Sequence, residues 1–160
     1  MQWCIKEDIM FFNQLNYVKI LKLKENATIP TRGTSGSAGY DLYACTDREI
    51  TIFHGDLVKI PCGIAIEIPE SYAAFIFARS GLGINHGIIP SNAVGVIDSD
   101  YRGEIQVGLC SVSKNGPYVV KNGDRIAQLI VMRTEVFKFK EVESLSESDR
   151  GINGFGSTGF

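Results

Sequence analysis

An all-β architecture, an antiparallel sandwich or barrel, is the fold class that this 160-residue sequence predicts. Apolar residues alternate with a period of two, turn-forming residues interrupt them at short spacing, and helical periodicity is scarce. After a turn-rich stretch from Pro30 to Gly36, Ala38 to Ala44 forms the first well-marked strand, in which Asp41 stands among apolar and aromatic neighbours and so demands a partner or a bound water. Ile50 and Ile52 flank Thr51, and Ile64, Ile66 and Ile68 alternate with Ala65 and Glu67. Turns at His54-Gly55-Asp56 and Pro69-Glu70-Ser71 follow these two strands. The apolar run Ala73 to Ala78 leads into Ser80 to His86, the best helical candidate, with Ser80 as N-cap and Gly87 as stop. A buried strand, Val96-Ile97, enters the polar turn Asp98 to Gly103, and Ile105, Val107 and Leu109 alternate with Gln106 and Gly108 on the way out. Turns at Lys114 to Pro117 and at Asn122 to Asp124 lead to an apolar strand ending at Val131. Phe137 and Phe139 around Lys138 predict a last half-buried strand, and Glu143 to Asp149 is polar and acidic, the composition of a flexible connector.

The length suits one domain and suffices to close a core without disulfides or a structural metal. Lys plus Arg number 16 and Asp plus Glu 18, a net charge of −2. No broad basic footprint for nucleic acid or an anionic membrane is expected from that balance, and an anionic ligand has to be held locally. Cys4, Cys45, Cys62 and Cys110 show no Cys-x-x-Cys spacing and have only His54 and His86 as imidazole companions. That pattern argues against zinc and for reduced thiols buried as small apolar side chains. Lys6, Glu7 and Asp8 interrupt any secretory signal, and the longest uncharged stretch, Ser80 to Ile97, is too polar to cross a membrane. The expected location is the cytoplasm, or the interior of a host cell for a viral protein.

Five segments concentrate groups able to do chemistry. Residues 154–159, Gly-Phe-Gly-Ser-Thr-Gly, satisfy the dinucleotide pattern G-x-G-x-x-G, but that fingerprint opens a helix and here only Phe160 follows, and residues 151–158 approach a P-loop without its lysine. What remains is a capacity to cradle phosphate through backbone N–H groups, the Ser157 and Thr158 hydroxyls and the Arg150 guanidinium. Phe155 is a large ring between glycines that a planar base would cover; the competing account is a solvated tail. Gly95 to Glu104 packs acids, Arg102 and Tyr101 into one turn, and Arg102 and Leu109 at the ligand positions break any calcium loop begun by Asp98 and Asp100. As a hairpin turn its acids are solvated surface; as a site, Asp98 orients or deprotonates a water and Tyr101 forms a flat wall for a sugar or base. Arg79-Ser80-Gly81-Leu82-Gly83 offers an anion both charge and close backbone approach, or is an ordinary solvated strand end. In Gly123 to Val131, an ion pair with Asp41 accounts for Arg125, whereas Gln128 is more open to a ligand role.

Taken in chain order, Ala38 to Ala44, Arg79 to Gly83, Gly95 to Glu104, Gly123 to Val131 and Arg150 to Gly159 closely resemble the first to fifth motifs of the trimeric dUTPases, a likeness that runs from about Tyr17 to Gly159. Ala78 replaces a usual proline, Asn153 replaces a common glycine, and residues 1–16 extend beyond the usual start. The resemblance implies an all-β jelly roll with one short helix after the Arg-Ser-Gly motif. It divides the chain into an N-terminal extension 1–16, a β domain 17–142 and a linker with glycine-rich lid 143–160. It implies a homotrimer with shared active sites that hydrolyses dUTP to dUMP and pyrophosphate by water attack on the α-phosphorus, limiting uracil in DNA and supplying dUMP. In that picture Asp98 activates the water and Tyr101 packs beneath the deoxyribose, while Asn92, Gly95, Val96, Ile97, Asp98 and Gln106 surround the uracil edge. Arg79, Ser80, Gly81 and Gln128 hold the phosphates, Arg150, Gly156, Ser157 and Thr158 cap them, Phe155 stacks on the uracil, and Asp41 and Arg125 support the site. Mg²⁺ is expected through triphosphate oxygens and waters, with no direct protein ligand. Two alternatives stand beside this. A dCTP deaminase of the same fold needs a glutamate near the Arg-Ser motif, and Arg79 to Pro90 has no acid. A non-catalytic nucleotide- or protein-binding β-sandwich module would not require Asp98.

Overall fold

The computed structural model describes residues 17–152. The extension 1–16 and the tail positions Phe155, Gly156, Ser157 and Thr158 lie outside the described residues. The described chain is built from eleven strands and one helix: β1 Lys19–Lys22, β2 Tyr40–Tyr43, β3 Ile50–Ile52, β4 Leu57–Pro61, β5 Ile64–Glu67, β6 Tyr72–Phe77, α1 Ser80–His86, β7 Ile88–Pro90, β8 Gly95–Ile97, β9 Gln106–Ser111, β10 Tyr118–Val120 and β11 Arg125–Arg133. All strand pairs are antiparallel. They form a four-stranded sheet in the order β2-β11-β6-β8, a three-stranded sheet β4-β9-β7, and the two ribbons β1-β5 and β10-β3. This is the all-β architecture that the alternation predicts.

The period-two residues supply the core. Leu42, Ile52, Ile60, Leu109 and Val120 have no solvent exposure, and Val107 and Ile105 are nearly as enclosed, whereas Gln106 between them faces outward. Each such side chain contributes about 1.5–3 kcal/mol on leaving water. β5 is less amphipathic than expected, because Ala65 is buried together with Ile64 and Ile66. Gly63, just before it, has φ +67°, and a Cβ there would lie 2.6 Å from Cys45 Sγ and 2.8 Å from the Ala27 Cβ. Only glycine satisfies both the backbone and the space at that turn.

Three local expectations need correcting. Ser80 is the first helical residue, not the cap: Arg79 takes the N-cap position in extended conformation with no side-chain capping bond. Gly87 does end the helix, in the left-handed region at φ 65°. Val96 is 58% exposed while Ile97 is buried, because a three-residue edge strand turns alternate side chains to opposite faces. Phe137 and Phe139 belong to no strand and are exposed, since no strand among the described residues pairs with that segment. No helix among the described residues is long and apolar enough to cross a membrane.

Cys45 and Cys62 are buried free thiols and Cys110 is half-buried. Burial pushes the Cys62 thiol up to about 12, with Glu104 adding to the rise. At pH 8, alkylation of the native protein followed by peptide mass mapping should modify Cys110 well before Cys62, and equal rates would show that the core around Cys62 opens readily.

Candidate active site

The sheets diverge where the sequence places its acidic turn. β8 pairs with β6 through Ala74–Ile97, Phe75–Val96 and Ile76–Gly95, while β9 pairs with β4 and β7. The expected Gly95-to-Gln106 hairpin is therefore not a hairpin ladder. Its two strands belong to different sheets, and the loop Asp98 to Ile105 spans the gap. Between them lies a cavity of about 250 Å³ lined by Asn92, Gly95 to Asp98, Tyr101, Glu104 to Gly108 and Ile76. β8 is the last strand of its sheet, so its outer edge has no strand partner among the described residues. An unpaired edge presents backbone donors and acceptors in alternation.

Glycine lets the walls approach. A Cβ on Gly95 would lie 3.2 Å from the Ile76 Cβ and 3.5 Å from Asn92 Nδ2, and one on Gly108 would lie 2.6 Å from Ser91 Oγ. Asn92 sits in a tight turn in which the Ala93 amide donates to Pro90 O and the Val94 amide to Asn92 O, with Ala93 held at φ +60°. Strain of that kind in a non-glycine residue persists only where the surroundings fix it. Across the cavity Tyr101 donates its hydroxyl to Glu104 O at 3.1 Å. The Glu104 carboxylate accepts from Gly63 N at 2.9 Å and from Gln106 Nε2 at 3.4 Å. Glu104, Ile76 and Gly108 line the cavity without having been singled out as binding residues; for Gly108 the signal was available, because strand alternation puts it on the same face as Gln106.

A second group gathers around Asp41, which is 5% exposed. Arg125 Nη1 lies 3.2 Å from Asp41 Oδ2, the pair the sequence suggests. Arg79, which the sequence did not connect to it, brings Nε to 3.3 Å from Asp41 Oδ1. That approach is off the hydrogen-bond line, so Oδ1 has an ionic but not a hydrogen-bond partner. Arg79 Nη1 donates instead to Arg125 O at 2.7 Å. The register of β11 explains the meeting: Arg125 faces Tyr43, Ala127 faces Leu42, and the extra residue Ile126 forms a bulge. The bulge buries Ile126 and Ala127 in succession and leaves Arg125 on the exposed side of the strand end. Gln128 then falls between Asp41 on β2 and Phe77 on β6.

The candidates thus form two sets. Asn92, Gly95, Val96, Ile97, Asp98, Tyr101 and Gln106 share the cavity, whereas Arg79 and Gln128 cluster at Asp41, with Ser80 and Gly81 opening α1 beside them. Arg150 lies in the exposed stretch beyond β11. A larger apolar groove of about 470 Å³, lined by residues such as Val18, Ile20, Ile29 and Tyr40, contains none of the predicted site residues.

The dUTPase family model matches residues 25–159. The deoxyuridine 5'-triphosphate nucleotidohydrolase of Desulfitobacterium hafniense is 48% identical over 145 residues, covering 89% of this chain and 95% of the relative. The protein of that name from Finegoldia magna is 48% identical over 143 residues, covering 89% and 99%. Among solved structures, a Staphylococcus bacteriophage 80alpha dUTPase with dUpNHpp superimposes with a TM-score of 0.82 at 26% identity, covering 91% of this chain and 99% of that one. A mutant dUTPase from phage phi11 of S. aureus, described with a structural Mg(II) ion, shares the fold at a TM-score of 0.74 and 22% identity. A deaminase or a non-catalytic module is not favoured by these likenesses.

Replacing Asp41 by Asn should leave two guanidiniums facing a neutral amide. Urea unfolding of Asp41→Asn should show a loss of about 1–3 kcal/mol, whereas an unchanged midpoint would mean that the cluster contributes nothing to stability.

Proposed function

The chain belongs to the dUTPase family, a hydrolase acting on dUTP, and from that premise we propose which of its groups carry the reaction to dUMP and pyrophosphate. The observation that carries the proposal is the cavity between β8 and β9, where seven of the candidate residues converge. Uracil enters between the diverging strands and meets the unpaired edge of β8, whose alternating backbone groups match an alternating acceptor-donor-acceptor edge, with Asn92 and Gln106 alongside. Cytosine presents a different pattern there and would leave buried polar groups unpaired, a strong basis for rejection. Tyr101 forms the wall under the deoxyribose. Asp98, at the end of β8, orients a water toward the α-phosphorus and takes its proton as the oxygen–phosphorus bond forms and pyrophosphate leaves.

Arg79, Ser80, Gly81 and Gln128 hold the phosphate chain. Arg79 donates one Nη1 N–H to Arg125 O and faces Asp41 ionically through Nε, and a guanidinium has five N–H groups, so others remain for phosphate. Arg150, Phe155, Gly156, Ser157 and Thr158 close over the bound nucleotide. A magnesium ion suits this site as a companion of the triphosphate. Its oxygens would come from the triphosphate and water, and it would supply charge neutralisation at the phosphates held by Arg79, Ser80, Gly81 and Gln128.

The division of the candidates into two sets favours sites shared between copies of the chain. So does the segment after β11, where Val136 is 92%, Phe137 79% and Phe139 103% exposed. Apolar side chains lined up in this way call for a covering surface. We place that surface on a neighbouring subunit of a homotrimer. Sedimentation equilibrium should give three times the chain mass of 17.6 kDa; a monomer that turns over dUTP would refute shared sites.

Pyrophosphate release, assayed with magnesium, should be far faster from dUTP than from dCTP, dTTP or UTP. Asp98→Asn should lower turnover by about a hundredfold or more while nucleotide affinity changes by only about threefold. Equal rates with dCTP would refute the uracil pocket, and a parallel loss of affinity and turnover would make Asp98 a structural residue.

A further inference from the structure

The loop between β8 and β9 holds a steric constraint that the reaction scheme does not use. Tyr101 is 46% exposed, yet its ring does not project freely: the hydroxyl bond to Glu104 O folds it back over residue 103. A Cβ at position 103 would overlap the phenol oxygen and lie 2.6 Å from Tyr101 Cζ and 3.0 Å from Cε2. Gly103 is not among the glycines with positive φ, so the position does not need glycine's backbone freedom. What it needs is the empty volume that the tyrosine ring fills. The backbone cannot easily yield instead. Arg102 Nη1 donates to Ser99 O at 2.6 Å and to Tyr101 O at 2.9 Å, and the Tyr101 amide donates to Asp98 O, which fastens the turn from the other side.

We infer that Gly103 is a positioning residue that seats the ring of Tyr101 and thereby sets the discrimination between deoxyribose and ribose nucleotides. The inference rests on the reading of Tyr101 as the sugar wall. A side chain at 103 tilts the ring off its seat, the wall no longer sits where a 2′-hydroxyl would collide, and sugar selectivity falls. Base selectivity is kept, because in the same reading it depends on Asn92, Gln106 and the β8 edge, whereas the atoms nearest a Cβ at 103 all belong to Tyr101.

The test compares the full-length parent with Gly103→Ala, Tyr101→Ala and the double variant, measuring kcat/KM for dUTP, UTP and dCTP, and Tm. Gly103→Ala should lower the dUTP-to-UTP ratio by about tenfold or more and leave the dUTP-to-dCTP ratio within about threefold. In the Tyr101→Ala background the same substitution should change neither the ratios nor Tm, since the ring it displaces is gone. If Gly103→Ala fails to fold alone but folds in the double variant, that rescue supports the seat. A parent-like dUTP-to-UTP ratio in folded Gly103→Ala overturns the inference alone, as does an equal loss in both backgrounds. A parent that hydrolyses UTP as fast as dUTP, or a Tyr101→Ala variant with the parent's ratio, overturns the sugar-wall reading and the inference with it.

Discussion

Asp41 carries a carboxylate into the edge of the four-stranded sheet, a place where an unpaired charge would cost several kcal/mol. Two guanidiniums make it tolerable, and each comes from a different part of the chain. Arg79 stands at the junction of β6 and α1, and Arg125 opens β11 at a bulge. The three residues therefore fasten together the first, second and fourth of the chemically loaded segments. Because Arg79 also binds the Arg125 carbonyl, the start of the helix is fixed relative to β11. Ser80, Gly81 and Gln128 inherit that placement. The same charges that pin the sheet edge leave a positive rim for an anion.

The cavity beside β8 depends on a different constraint, the refusal of β8 and β9 to pair. β8 follows the four-stranded sheet and β9 the three-stranded one, so the loop between them has to bridge two surfaces. Arg102 and Tyr101 brace that loop through backbone carbonyls rather than through a ladder. Glu104 ties its far end to the Gly63 turn, where only glycine fits. In the proposed reading, base, sugar and attacking water are handled by this one loop and its two flanking strands, and the phosphate chain by the groups at the Asp41 cluster. The proposed homotrimer, with sites shared between copies of the chain, would also cover the exposed phenylalanines after β11.

Much of this was legible in the sequence. Alternation in Ile105 to Leu109 and in Ile50 to Ile52 reports one-sided burial, a local property that survives into the fold. Asp41 in an apolar strand announced a partner, and Arg125 was a sound choice. The contact of Arg79 with Asp41 was not legible, because it depends on how β6 lies beside β11, which no local pattern encodes. Val96-Ile97 followed by a polar turn looks like half of a hairpin, and nothing in the residues says that the two strands join different sheets. Phe137 and Phe139 show strand periodicity without a strand, since alternation records what a segment can cover and not whether its own chain supplies the cover. Gly103 looks like an ordinary turn glycine until the Tyr101 ring is seen to occupy its missing side chain.

The central claim is chemical: a water placed at the end of β8 attacks the α-phosphorus of dUTP. Single-turnover hydrolysis in ¹⁸O-enriched water, followed by mass spectrometry of both products, tests it most directly. The account predicts one ¹⁸O in the phosphate of dUMP and none in pyrophosphate. Label in pyrophosphate would place the attack on the β-phosphorus and contradict the role given to Asp98.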